Sequence, residues 1–300
     1  MTTLYLKYRP DDFDQLYGND NLKEYWKRME VNKIPHTILF HGPTGCGKTT
    51  TARIVAKKLG CSGGDLREID AADFRGIDTI REIRKQSQFS PLESSCRVWI
   101  LDEAHQLGST AQPALLKILE DTPKHVYFIL CTTDPQKLLA TIRGRCDAHQ
   151  VQPLNRVQML KLLMSVVKKE GEVVEKVVLE QIIQDGMGLP RNSLQILNQV
   201  LSVPEEHRLE TAKKAAEKQS QSIELCRALL ENASWKKVSR ILSELQDDPE
   251  GIRRHVLGYC NSIMLKGDNK QAIVVMEQFE EPTYNIGMPG ITLACYRCIN

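Results

Sequence analysis

Through the first half of the chain, short unbroken apolar runs alternate with longer stretches in which apolar residues return every three or four positions. Runs 37–41, 97–101 and 126–131 carry no polar alternation, which predicts strands covered on both faces, as in a parallel sheet. Weaker runs at 66–70 and 148–151 predict two more strands. The periodic stretches predict helices at 50–59, closed by Gly60, at 76–88, with Ile77, Ile80 and Ile83 on one face, at 111–120, and a short one at 138–143. Strand and helix in turn predict an α/β fold: a five-stranded parallel sheet with helices on both faces.

After Pro153 the strand signals stop. Apolar residues at helical spacing predict helices at 156–168, 174–184 and 192–201. A polar run at 211–222 leads to further helices at 223–230, 235–245, 252–264 and 272–279, punctuated by Pro249, Gly267 and Pro282. Three parts are expected: an α/β core over 1–153, a small helical bundle over 154–218, and an all-helical C-terminal domain over 219–300. The Leu and Ile stripes of the last part read as core and subunit-contact positions.

Composition narrows the classes. At 300 residues and 41% hydrophobic the chain can bury more than one core. A formal net charge of +2 gives no global field for nucleic acid, so any such contact must come from local basic clusters. No apolar run approaches the roughly 20 residues that cross a bilayer, and the first residues lack a signal-peptide core. The expectation is a cytoplasmic protein with no membrane partner. The 9 cysteines are scattered, several inside apolar segments, and read as buried thiols. Cys295 and Cys298 form a C-x-x-C, but no second pair lies nearby in sequence to complete a structural zinc site. The simpler reading makes them the apolar face of a last helix.

Chemistry concentrates in two places. Gly42-Pro-Thr-Gly45-Cys46-Gly47-Lys48-Thr49 follows a predicted strand and precedes a predicted helix. Glycines at these positions let backbone N–H groups turn inward around phosphates at the positive end of the helix. Lys48 would reach the β- and γ-phosphates, and Thr49 would offer its hydroxyl to Mg²⁺. Gly42, Gly45, Cys46, Gly47, Lys48, Thr49 and Thr50 are therefore the predicted contacts to the phosphates of ATP. Some fifty residues later, the strand Val98-Trp-Ile-Leu ends in Asp102-Glu103-Ala-His105. Two acids at the carboxyl edge of a parallel sheet lie beside a phosphate loop. Asp102 would hold Mg²⁺ through water, and Glu103 would orient or deprotonate the attacking water. The letters D-E-A-H also occur in helicases with two RecA-like lobes, but only about 150 residues of α/β pattern are present here.

Further segments carry a family likeness. Lys7-Tyr8-Arg9-Pro10, Asp134-Pro-Gln-Lys-Leu138 after Thr132-Thr133, and Gly144-Arg145-Cys146 resemble motifs of AAA+ clamp-loader subunits, the bacterial γ/τ subunit in particular. Ala72-Asp-Phe-Arg75-Gly-Ile-Asp78 resembles the small subunits of replication factor C. The likeness covers residues 1–200 and is architectural beyond. It implies a RecA-like ATPase core, a helical lid and a C-terminal collar. It also implies that Tyr5, Leu6, Lys7, Tyr8 and Tyr17 line an adenine and ribose pocket, and that Thr133 is a sensor at the end of the fourth strand. Arg191, in Gly188-Leu-Pro-Arg191, matches the second sensor, and Arg145 the arginine finger inserted into a neighbour's ATP site. Gln112 would couple adjacent subunits, and Arg75 would restrain Glu103 until DNA draws it away.

Two departures stand out. Glycine replaces serine at position 144, which predicts a looser local backbone, and the four-cysteine zinc module of the γ/τ subunit is missing. Arg75, Arg81, Arg84 and Lys85 surround the start and one face of a predicted helix, a placement that can hold duplex phosphates without reading sequence. The implied function is an ATP-driven loader subunit that works in a ring or spiral, as a pentamer, with other loader subunits. It would open a sliding clamp and place it on primer–template DNA. The alternative is another AAA+ DNA motor, a branch-migration helicase or helicase loader.

Overall fold

The computed structural model describes residues 3–74, 76–219, 221–245, 249–265, 267–283 and 286–299, with side chains except at 216–219 and 221. Their contacts divide into two compact units: Tyr5–Gln158 with Leu189–Arg191, and Met1–Leu4, Met159–Gly188 and Asn192–Asn300.

The first unit is the α/β part. After the one-turn helix α1 (Leu4–Lys7) and α2 (Asp20–Arg28) come β1 (Thr37–His41), α3 (Lys48–Lys58), β2 (Leu66–Asp70), α4 (Ile77–Ser87), β3 (Arg97–Asp102), α5 (Ala111–Glu120), β4 (Val126–Thr132), α6 (Ala140–Arg143) and β5 (Asp147–Gln150). The five strands form one parallel sheet in the order β2-β3-β4-β1-β5. Register brings Asp70 opposite Asp102 and His41 opposite Thr132, so the carboxyl ends of β1, β3 and β4 share one edge.

Side chains alternate across the pleat, so the unbroken apolar runs fill two cores at once. Ile38, Phe40, Val98 and Ile100 pack with Trp26, Ile54 and Val55 on the side of α2 and α3. Leu39, Trp99, Leu101, Phe128 and Leu130 pack with Ile80, Ile83 and Leu115 on the side of α4 and α5. Each such fully buried side chain is worth about 1.5–3 kcal/mol relative to exposure.

Beyond Leu154 the described elements are all helical: α7 (Arg156–Glu170), α8 (Lys176–Gly186), α9 (Pro190–Val200), α10 (Arg208–Gln219), α11 (Gln221–Leu230), α12 (Trp235–Glu244), α13 (Pro249–Met264), α14 (Lys270–Gln278) and α15 (Met288–Ile299). Pro190 and Pro249 sit at the first position of their helices, where a missing N–H costs nothing. They start helices rather than interrupt them.

One local expectation is corrected. The polar run at 211–222 is mostly helical: α10 packs on α8 through small buried residues, Ala212 and Ala215, which carry too little hydrophobicity to announce a core face. Helix α2 places Trp26 in the core, with Leu22 and the following Met29 packed against it. Gly144 lies at φ −67°, ψ −13°, an ordinary right-handed conformation open to any residue.

Among the described residues, the second unit contains two buried carboxylates. Asp185 accepts from Arg227 Nη2 at 2.9 Å and Gln181 Nε2 at 2.7 Å. Glu250 accepts from Arg253, Arg254 and the backbone N–H of Thr283. Cys295 and Cys298 are both buried on α15, and burial pushes the Cys298 thiol up to about 12. Among the described residues no group of three His, Cys, Asp or Glu side chains could hold a metal ion.

Candidate nucleotide site

The loop between β1 and α3 owes its shape to three glycines at positive φ: Gly42 at 150°, Gly45 at 78° and Gly47 at 108°. These values are strained for residues with a Cβ. Gly42 also passes against β5, where a Cβ would lie 2.1 Å from the Val151 carbonyl oxygen. The loop thus turns tightly and delivers the chain into the N-terminus of α3, whose first amides have no helical partner and suit an anion.

Lys48, the first residue of α3, is buried, with Nζ donating to the carbonyls of Gly42 and Pro43 at 3.0 Å each. The Thr49 hydroxyl donates to Asp102 Oδ2 at 2.7 Å, bridging α3 and the end of β3. Asp102 Oδ1 accepts the Glu103 N–H at 3.0 Å. A cation, a hydroxyl and a carboxylate therefore converge at the sheet edge, a donor set that fits a triphosphate and a hard divalent cation. Burial pushes the Cys46 thiol up, opposed by the nearby charges of Lys48 and Arg191, so it packs as a neutral group.

Glu103 is held in the left-handed region at φ 46°, immediately past the strand. The Thr133 hydroxyl, just beyond β4, donates to its Oε2 at 3.3 Å. The structure thus brings Glu103 and Thr133 together next to the Thr49–Asp102 pair. Arg191 sits at the start of α9 with its backbone N–H on the Gly45 carbonyl at 3.4 Å, which places it against the phosphate loop. Arg145 lies elsewhere: it donates to Glu120 Oε1 at 2.7 Å and to the Thr141 carbonyl at 3.1 Å, and both members of the ion pair are about two-fifths exposed.

Other predicted residues separate. Tyr5, Leu6 and Lys7 are on α1, with Leu6 largely exposed. Lys7 Nζ lies 5.3 Å from the centre of the Tyr8 ring. Tyr17 is half-buried beside Gly18. Gln112 is buried within its own unit: it donates to the carbonyls of Leu107 and Lys137 and accepts from the Leu139 N–H, tying α5 to the segment after β4. Arg81, Arg84 and Lys85 are exposed on α4, Arg81 paired with Asp78 at 2.9 Å. Arg75 lies outside the described residues. A cavity of about 390 Å³ between 11–14 and α3 is lined by Lys27, Lys57 and Lys58. Lys27 and Lys57 already pair with Asp14 and Asp11, so it offers no free cation cluster from these two.

Residues without an assigned role also join the site. Arg9 donates from Nε to Thr50 Oγ1 at 3.1 Å, and burial pulls its pKa below the usual arginine value. His105 contacts Thr132 and approaches Glu103. Both lie in motifs that were legible, but nothing in a linear motif says which atom each side chain meets.

Residues 64–155 match the family described as DNA polymerase III, delta subunit. The chain is 37% identical over 223 residues to the DNA polymerase III subunit gamma/tau of Mycobacterium tuberculosis, covering 66% of this chain and 39% of that protein. It is 33% identical over 217 residues to the DNA polymerase III subunit gamma of Buchnera aphidicola (65% and 60%), and 32% identical over 218 residues to the tau subunit of Escherichia coli (65% and 34%). The chain thus spans well under half of the mycobacterial and Escherichia coli relatives. Among solved structures, the Thermotoga maritima RuvB Holliday junction branch migration motor superposes with a TM-score of 0.61 at 18% identity, over 88% of this chain and 87% of that one. At that identity the likeness concerns the fold alone.

Proposed function

We propose that the chain, 32–37% identical to DNA polymerase III gamma/tau subunits over two thirds of its length and sharing the fold of an AAA+ motor, is an ATP-hydrolysing subunit of a sliding-clamp loader. The observation that carries this is the convergence of buried Lys48, the Thr49–Asp102 hydrogen bond at 2.7 Å and the Thr133–Glu103 hydrogen bond at 3.3 Å on one sheet edge.

Within this reading, the loop amides from Gly42 to Thr50 and Lys48 hold the phosphates of ATP. Thr49 and Asp102 hold Mg²⁺, which when bound supplies positive charge to the phosphates. Lys48 turns from two neutral carbonyls to the phosphates without leaving its loop. Glu103 accepts the proton of the attacking water, and the Thr133 hydroxyl fixes where that carboxylate points. Arg191 acts on the bound phosphates from the start of α9. Tyr5, Leu6, Lys7, Tyr8 and Tyr17 take the adenosine.

Arg145 serves a neighbouring subunit. Its pair with Glu120 is exposed enough to be worth only about 0–1 kcal/mol, so exchanging it for a neighbour's phosphate costs little. A finger of this kind is worth about 10³–10⁵ in rate in related systems. The helical lid (154–218) and collar (219–300) would hold such subunits in a ring or spiral. Arg75, Arg81, Arg84 and Lys85 would meet the DNA backbone.

The test is ATP turnover by the chain assembled with its loader partners, alone and with primer–template DNA plus clamp. Both together should raise the rate well above basal. Lys48→Ala should lose ATP binding, whereas Glu103→Gln should retain it and lose turnover. A rate indifferent to clamp and DNA, in an assembly that hydrolyses ATP, rules out the loader reading while leaving the ATPase.

A further inference from the structure

The side chain of His105 is almost fully buried, between the acid that ends β3 and the end of β4. Its Nδ1 lies 2.9 Å from Thr132 Oγ1 and 3.4 Å from Glu103 Oε2. Its Nε2 lies 3.1 Å from the Gln106 side-chain nitrogen. An amide NH₂ only donates, so Nε2 is the accepting nitrogen and the ring proton resides on Nδ1. Burial lowers the imidazole pKa below its ordinary value, with Glu103 opposing, so the ring is neutral near pH 7. Thr132 Oγ1 also accepts the Asp134 N–H at 3.1 Å, which fixes the turn that carries Thr133. The ring N–H therefore bonds the strand end from which Thr133 reaches Glu103, with the carboxylate itself 3.4 Å from Nδ1.

We propose that His105 is a positioning residue for ATP hydrolysis: through Nδ1–H on Thr132 it fixes the end of β4, and so the Thr133 hydroxyl that aims the Glu103 carboxylate. Gln106 sets the tautomer that makes this possible. The inference rests on the ATPase reading and on Glu103 as the water-activating group. Glu103 needs such help because it sits at positive φ with about a quarter of its side chain exposed, so its carboxylate has other rotamers within reach. A neutral buried ring that fixes the strand end carrying Thr133 restricts it without placing a charge beside it, and correct aim of a catalytic group is worth large rate factors.

The geometry dictates a discriminating pair of variants. Asparagine can place an N–H donor where Nδ1 stands, whereas glutamine places its N–H one bond further out, near the position of Nε2. His105→Ala and His105→Gln should lower kcat for ATP about 10–100-fold, a partial loss of the roughly 10²–10⁴-fold that general-base catalysis supplies, with KM and the affinity for an ATP analogue within about twofold of the parent. His105→Asn should recover most of the rate. The assay uses the chain in its loader assembly, with melting temperature recorded for each variant and Glu103→Gln run alongside. An unchanged kcat in His105→Ala, equal rates for the Asn and Gln variants, or ATP affinity falling in parallel with kcat overturns the proposal. An inactive parent, or full activity in Glu103→Gln, overturns the reading beneath it instead and takes this inference with it.

Discussion

Replacing Gly42 by alanine is a severe small perturbation at this site, and its size follows from two features of the structure. The residue lies at φ 150°, and an added Cβ would stand 2.1 Å from the Val151 carbonyl oxygen and 3.2 Å from its carbon. Carbon–oxygen contacts settle at about 3.3–3.6 Å, so the loop and β5 must part by about 1.2 Å. Neither is free to do so. The Val151 N–H is bonded to the His41 carbonyl at 2.8 Å, and the Gly42 N–H to the Thr132 carbonyl at 3.2 Å. The φ penalty is about 1–3 kcal/mol, and the overlap of two backbone segments adds about 1–3 kcal/mol. A loss of about 2–6 kcal/mol lowers the melting temperature of a unit of this size by about 5–20 °C. Calorimetry on Gly42→Ala measures that, and titration with a non-hydrolysable ATP analogue should show at least a tenfold loss of affinity. Gly64→Ala is the control, since a Cβ there meets nothing within 4 Å; it should melt within about 2 °C of the parent. If Gly42→Ala melts and binds like the Gly64 variant, the loop does not depend on its approach to β5.

Arg145→Ala subunits should bind ATP normally yet fail to support hydrolysis next door, and mixing them with Lys48→Ala subunits should restore part of the rate. Native mass spectrometry confirms assembly, and no recovery in mixed assemblies excludes action in trans. Asp65 makes a pH prediction. Burial alone would raise its carboxyl, but the amides of Glu93, Leu92 and Ser94 and the Arg97 guanidinium outweigh this and hold it at about 2. A depressed carboxylate contributes stability above its unfolded value near 3.8, lost as pH falls toward 2. Asp65→Asn should therefore cost stability at pH 6, and the melting-temperature gap to the parent should shrink between pH 4 and pH 2. A gap independent of pH rejects that assignment.

What the sequence by itself determined is whatever local chemistry dictates. Unbroken apolar runs have one common use, so β1 at 37–41, β3 at 97–102 and β4 at 126–132 appear within a residue of where expected. Fixed glycine, lysine and threonine spacing placed the phosphate loop because backbone sign and helix start are local requirements. Helices without a strong apolar stripe were less legible. The alanines of α10 become a buried face only because α8 lies against them. Strand order was not legible either: that β4 lies between β1 and β3 is a matter of non-local pairing. Only that pairing puts Thr132 and Thr133 within reach of His105 and Glu103, with 27 to 30 residues between them along the chain. The same holds for Gln112, whose amide satisfies three backbone groups brought together by the packing of α5. Sequence specifies which functional groups exist and the conformation each segment favours. Which nitrogen of His105 meets which oxygen is decided by the register of the sheet, because hydrogen bonding depends on position within a few tenths of an ångström and linear spacing carries no such information.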